Sequence, residues 1–189
     1  MIDVALKEWS IVCDLLMEGS LALLLRKGGI HEDYGPGVFR LEHPRFALFP
    51  SYLHQKPPAI KPAFRERVKV LEEPAYVELP GVGSAEKIWE VPSREAFEQL
   101  DDLHPWTAEH LDMRFNYKPD HPLYVVAVRA AKLPTPKRVE NDWTYGGCKS
   151  WVPLKENDVV DESTATPVLS DEAFAAMLAR IDRTFAAAR

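Results

Sequence analysis

Leu21-Ala22-Leu23-Leu24-Leu25 is an unbroken apolar run, and Gly28-Gly29 follows close behind it. Five residues complete barely more than one helical turn, yet they make a whole strand whose side chains point alternately to the two faces of a sheet. The run therefore predicts a buried central strand, covered on both sides. A chain of 189 residues can supply that cover, because folding at this size buries roughly 70% of the surface the unfolded chain exposes.

Hydrophobic residues make up 46% of the chain and charged residues 28%, as expected of a globular protein. No apolar stretch approaches the roughly 18 residues of a membrane span, so no membrane partner is expected. Met1-Ile2-Asp3 opens without a basic region, and Lys7, Glu8 and Asp14 interrupt the first apolar stretch. That pattern argues against a secretory signal and predicts a cytoplasmic location. Cys13 and Cys148 lie far apart and outside any C-x-x-C pair, so both read as reduced, buried thiols.

Helical spacing of Ala5, Trp9, Val12, Cys13 and Leu16 predicts a first helix from an Asp3 cap to Met17, stopped by Gly19. Strands are expected at residues 38–41 and 46–49, joined as a hairpin, and at 68–71 and 75–79 as one strand broken by Pro74. Pro80-Gly81-Val82-Gly83 reads as a turn. Ser93 and Thr107 open two helices, and strands follow at 123–129 and 151–154. Ser170 caps the last helix, in which Phe174, Met177, Leu178, Ile181 and Phe185 form one apolar stripe. No steady strand–helix alternation appears. The expected fold is therefore α+β, a mixed or mainly antiparallel sheet packed by N-terminal and C-terminal helices. It forms a single domain over residues 1–189, with an exposed connection at 155–169 before the helix at 170–188.

Standard catalytic signatures are missing. There is no G-x-x-x-x-G-K-[ST], no G-x-G-x-x-G and no R-E-x-x-E-E helix of the kind that holds magnesium in a Nudix hydrolase. No Asp or Glu has Lys two positions later, which removes the usual acid-x-Lys nuclease core. Asp101, Asp102, His104, Glu109, His110 and Asp112 offer ligand types in a spacing that matches no closed metal site. They read as a solvated acidic face, and neither a metal nor a cofactor is called for.

The net charge is −6, but it is unevenly spread: residues 71–122 hold four Lys/Arg against twelve Asp/Glu, while residues 1–70 hold ten against eight. A local basic face can still steer an anionic partner. Arg26, Lys27, Arg40, His43, Arg45, His54 and Gln55 punctuate the segment around Gly28-Gly29. If Arg26, Arg40 and Arg45 share one sheet end, they form a clamp for phosphate or carboxylate, with His43 and His54 beside it. The alternative is a hairpin edge whose charges simply solvate it. A second patch, Arg129, Lys132, Lys137 and Arg138 followed by Trp143, Tyr145 and Trp151, interleaves cations with rings able to stack on unpaired bases. Such rings equally serve to fill a core.

Several strings carry a family likeness: Ala5-Leu6-Lys7-Glu8-Trp9, Leu24-Leu25-Arg26-Lys27-Gly28-Gly29-Ile30, Phe46-x-Leu48-Phe49-Pro50-Ser51-x-x-His54-Gln55 and Gly147-Cys148-x-Ser150-Trp151-Val152. Together with Trp106-Thr107 and Arg114-Phe115, they resemble the prokaryotic domain of unknown function 1802, over about residues 4–154. The resemblance implies no established activity. Some relatives are joined to a domain similar to Mrr-type restriction nucleases, which implies an accessory or recognition role in DNA restriction, with a nuclease as partner. It adds Arg114 and Trp151 to the candidates. The preferred reading is a nucleic-acid-linked recognition module that binds nucleic acid or a nucleotide-like anion. Its rivals are an enzyme on a small phosphorylated substrate, with His43 or His54 as proton carrier, and a partner-binding module whose last helix is only half covered.

Overall fold

The computed structural model describes residues 1–27, 41–147 and 149–188. Strand β1 (Val4–Trp9) leads directly into helix α1 (Ser10–Glu18), and β2 (Leu23–Arg26), β3 (Arg45–Ser51) and the short α2 (Pro62–Arg65) follow. Then come β4 (Tyr76–Glu90), α3 (Arg94–Glu98), α4 (Ala108–Asn116), β5 (Tyr124–Glu140), β6 (Trp151–Pro153), β7 (Thr166–Pro167) and α5 (Asp171–Ala186). The strands form one sheet in the order β2-β5-β4-β3-β1-β6, with β7 added to β5. Among the described strands only β1 and β3 pair in parallel, so the sheet is mixed and the fold is α+β.

Each face of the sheet carries its own core, as the two-residue period of a strand requires. Val4 and Leu6 of β1 and Phe46 and Leu48 of β3 point into a large core shared with α1, β2 and α5. Ala5, Ala47 and Phe49 point the other way, into a smaller core with Leu79, Leu133, Tyr145, Val152 and Val160. The long antiparallel pair β4–β5, whose strands are connected through α3 and α4, contributes side chains to both cores. Its register slips between Leu79 and Gly81, where Pro80 has no N–H to donate and β5 carries four residues, 133–136, between the partners Lys132 and Lys137.

Pro80-Gly81-Val82-Gly83, expected as a turn, lies inside β4. Its glycines serve close approach. A Cβ on Gly81 would sit 2.4 Å from the Ala131 carbonyl oxygen and 2.6 Å from Met17 Sδ, and one on Gly83 would sit 2.7 Å from the Phe46 ring. The helix expected from Asp3 is likewise corrected, because residues 4–9 form a strand and the helix starts at Ser10. Gly19 does end it, in the left-handed region at φ 73°, with Gly19 N–H bonded to Leu16 and Ser20 N–H to Leu15. The apolar run at 21–25 is buried and enters strand β2, but among the described strands β2 lies at an end of the sheet order and not at its centre.

Residues 68–71 form no strand. The strand and hairpin expected at 38–41 fall mostly outside the described residues, as do Gly28, Gly29, Arg40 and Cys148. The connection at 155–169 is packed rather than free: Val160 is buried and bridges Ile2, and Thr166–Pro167 pairs with β5. In α5, Phe174, Ile181 and Phe185 are buried, Met177 and Leu178 pack against the same core, and the Ser170 hydroxyl accepts from Ala173 N–H. The stripe is thus covered by its own domain, and the partner-binding reading loses its motive.

A candidate anion-binding site where the sheet closes

β1 and β3 run parallel, so their C-terminal ends lie side by side, Glu8 beside Pro50 and Trp9 beside Ser51. β2 starts from the far flank of the sheet, yet Arg26 at its end meets Glu8, Nη1 to Oε2 at 2.6 Å. The sheet therefore curls, and this ion pair ties its two flanks together. Glu8 is buried because it continues the inward phase of Val4 and Leu6; its second oxygen accepts from Trp9 N–H at 2.8 Å. Arg26 is 16% exposed, and its Nη2 is buried with no hydrogen-bond partner among the described residues.

Lys27, next along the chain, turns to α4. Its ammonium donates to the carbonyls of Arg114 and Phe115 at 2.8 and 2.6 Å, which caps the C-terminal turn of that helix. Burial, and secondarily Arg114, lowers the Lys27 pKa. Burial first and Arg26 second also lower the pKa of Arg114, while Glu8 opposes them. Among the described residues, two guanidinium groups and one ammonium thus share a partly buried region with a single carboxylate, and their charges sum to a positive one.

Aromatic rings bound this end. Trp9 and Trp106 meet edge to face at 5.2 Å, and His110 stacks on Trp106 at 4.7 Å. Burial, then Arg114 and Lys56, depress His110 to about 4, so the ring is neutral at pH 7. Beside Trp9 opens a hollow of about 210 Å³ lined by Lys7, Glu8, Ser51, Leu53, His54 and Lys149. His54 holds φ 60°, a left-handed conformation that histidine tolerates better than most residues.

The structure divides the sequence candidates. Arg26, Lys27 and Arg114 gather at this end, and His54 lines the adjoining hollow. Gln55 is used structurally: its Oε1 accepts from Ile11 N–H at 3.3 Å and its Nε2 donates to Ser10 Oγ at 3.0 Å, capping α1 where Trp9 offers no oxygen. Arg45 stands at the opposite end of β3, about 20 Å away along the strand, and pairs with Glu162. His43 lies edge-on to Trp151 at 5.2 Å, and Trp151 packs on Phe46. His43 and His54 therefore lie beyond opposite ends of β3, and the expected clamp with two imidazoles does not assemble.

In the acidic third, Asp101 pairs with Lys61, Asp102 with Arg180 and Asp112 with Arg94. Among the described residues, no three His, Cys, Asp or Glu side chains converge on a metal position. Lys7, Glu8 and Trp9 stand in one of the strings that carry the family likeness but, like Lys149, are not among the binding candidates read from the sequence. For Glu8 the signal was available, since a carboxylate in phase with Val4 and Leu6 points inward only if those residues form a strand.

The chain matches the domain of unknown function DUF1802 over residues 5–180, a span that runs into α5. No curated protein matches it. Among solved structures, it is similar to a serine-to-alanine mutant of ZmASCH from Zymomonas mobilis at 9% identity, covering 84% of this chain and 94% of that one, with a TM-score of 0.47. A tyrosine-to-phenylalanine mutant of the same protein is similar at 10% identity, with 82% and 91% covered and a TM-score of 0.45.

Proposed function

The chain belongs to the DUF1802 family, and for it we propose nucleic-acid-linked recognition, with backbone phosphate held at the end of the sheet where Arg26 and Arg114 meet. The observation that carries this reading is the charge imbalance. Glu8 satisfies one nitrogen of Arg26 and leaves Nη2 buried without a partner among the described residues, beside a second guanidinium. A buried donor without an acceptor costs about 1–3 kcal/mol, more when charged, and a phosphate oxygen is the acceptor that matches a guanidinium fork. Glu8 holds Arg26 in place while the site is empty. Lys7 and Lys149 on the adjoining hollow extend the positive surface along a path that a backbone of repeated phosphates would follow.

With a net charge of −6, the chain binds such a partner through this local field and not through its overall charge. Affinity then falls steeply with salt. Titration of labelled DNA and RNA by fluorescence anisotropy between 50 and 200 mM salt should give a log–log slope of about −2 to −3, as expected for roughly three phosphates. Arg114→Gln should weaken every sequence alike and lower that slope by about one. Absence of binding at 50 mM salt, or an Arg114→Gln protein that binds as the parent does, would end the reading.

A further inference from the structure

Of the rings in the second cation–aromatic patch, Tyr145 is fully buried and Trp151 packs on Phe46, while Trp143 is 87% exposed. A lone exposed apolar side chain needs no explanation by itself. What sets Trp143 apart is the rigidity of its support. It sits in a turn closed by Tyr145 N–H on the Asp142 carbonyl at 3.1 Å and by Gly146 N–H on its own carbonyl at 3.2 Å. The Asp142 side chain accepts from Thr144 N–H at 2.9 Å and pairs with Lys155. Tyr145 anchors the turn from below, donating to Asp158 at 2.7 Å and accepting from Lys155 N–H at 2.9 Å.

Both flanks of this turn are tied to residues that line the hollow beside Trp9. On one side, Ser51 donates to Glu73 at 2.6 Å, and Asn141 donates to the Pro74 carbonyl at 3.0 Å and to Glu73 at 3.4 Å. On the other, the Lys7 ammonium donates to the carbonyls of Tyr145 at 2.5 Å and Gly147 at 3.4 Å, and Lys149 itself lines the hollow. The turn that carries the indole is fixed through its backbone and is tied by Lys7 to the hollow that Lys149 also lines, so an exposed ring face and two cations belong to one supported stretch of surface, and an indole has only two side-chain torsions to fix on binding.

We propose that Trp143 stacks on an unpaired base of a single-stranded nucleic acid whose adjacent phosphates lie at the hollow lined by Lys7 and Lys149. This rests on the phosphate-binding reading above and narrows it to single strands. In a duplex each base already has neighbours on both faces, so the indole has nothing to stack on. Base stacking tolerates sequence, so the preference is for exposed bases of any kind.

Three ligands of equal length test it: a single strand, its abasic counterpart and a duplex, each titrated against the parent protein, Trp143→Ala and Trp143→Phe. The parent should bind the single strand roughly ten-fold tighter than the abasic strand, a difference of about 1.4 kcal/mol. Trp143→Ala should erase that difference and leave abasic binding unchanged, and Trp143→Phe should keep part of it. The single strand should also protect the parent's fluorescence from iodide. If Trp143→Ala keeps the full preference for the single strand, stacking is refuted while phosphate binding stands. If the parent binds none of the three ligands, both readings fall.

Discussion

The Glu8–Arg26 pair makes a prediction with two opposite signs. Both side chains are largely withdrawn from water, at 8% and 16% exposure, and meet at 2.6 Å. Removing one partner of such a pair costs about 3–5 kcal/mol, because the survivor keeps its desolvation without its counter-charge. Glu8→Gln retains an oxygen for Trp9 N–H, the 2.8 Å bond made by the carboxylate, so the lower end applies, about 3 kcal/mol. For a chain of this length that lowers the melting temperature by roughly 6–12 °C. The same substitution removes the only carboxylate found, among the described residues, beside Arg26 and Arg114, so affinity for a short polyphosphate or oligonucleotide should rise as stability falls. Damage to the fold alone would lower both. In the double variant Glu8→Gln/Arg26→Met no charge is stranded, and much of the lost stability should return, giving a coupling of about 2 kcal/mol in a double-mutant cycle. Calorimetric melts of the four proteins, with titrations alongside, decide it. A Glu8→Gln protein melting within about 2 °C of the parent, or additive single effects, would refute the claim that this pair ties the sheet's flanks.

Acidification should destabilise the protein in a window set by histidine. Burial holds both His104 and His110 at about 4 in the folded state, against about 6.5 when unfolded, so their contribution is present above pH 6.5 and is lost as pH falls toward 4. His110→Phe keeps the stacked ring and should flatten the fall of melting temperature between pH 6.5 and 4; an unchanged profile would refute it. Gly81→Ala forces a methyl to 2.4 Å from the Ala131 oxygen and should cost about 3 kcal/mol in a denaturant titration, whereas an unchanged midpoint would show that β5 and α1 can retreat. Lys27→Met removes two donors from the end of α4 and should cost about 2 kcal/mol, with faster hydrogen exchange in that helical turn. A loss of oligonucleotide affinity without loss of stability would instead make Lys27 a ligand.

Some elements were legible because their causes are local. Ser170, Asp171 and the stripe from Phe174 to Phe185 define α5 without help from elsewhere, and Gly19 marks the end of α1 because only the left-handed region closes that helix. The start of α1 was illegible because its cap is remote: Trp9 supplies no side-chain oxygen, and Gln55 reaches Ser10 across 45 positions. Without that cue Ala5 falls into the helical spacing by coincidence, and the alternation of Val4, Leu6 and Glu8 against Ala5 goes unread. Pro80-Gly81 misled for a related reason. The same two residues that bend a chain at a turn also suit a strand at a bulge, where one lacks the ladder donor and the other lets α1 and β5 come close.

The site was half legible, and the missing half follows from what a cation count leaves out. Arg26 and Lys27 are neighbours with the same charge, yet one pairs with a carboxylate from the opposite flank of the sheet and the other closes a helix. Adjacent residues leaving a strand project in different directions, so two consecutive cations seldom serve one ligand. Arg45 fails for the complementary reason, since a seven-residue strand carries its two ends too far apart for one pocket. The residues that a ligand can reach are those where strand ends converge, and convergence depends on the curl that brings β2 to β1. That curl is produced by long-range pairing of β4 with β5 and by the Glu8–Arg26 contact itself. The charges that define the candidate site are therefore also part of what closes the sheet, which is why changing Glu8 is expected to move stability and affinity in opposite directions.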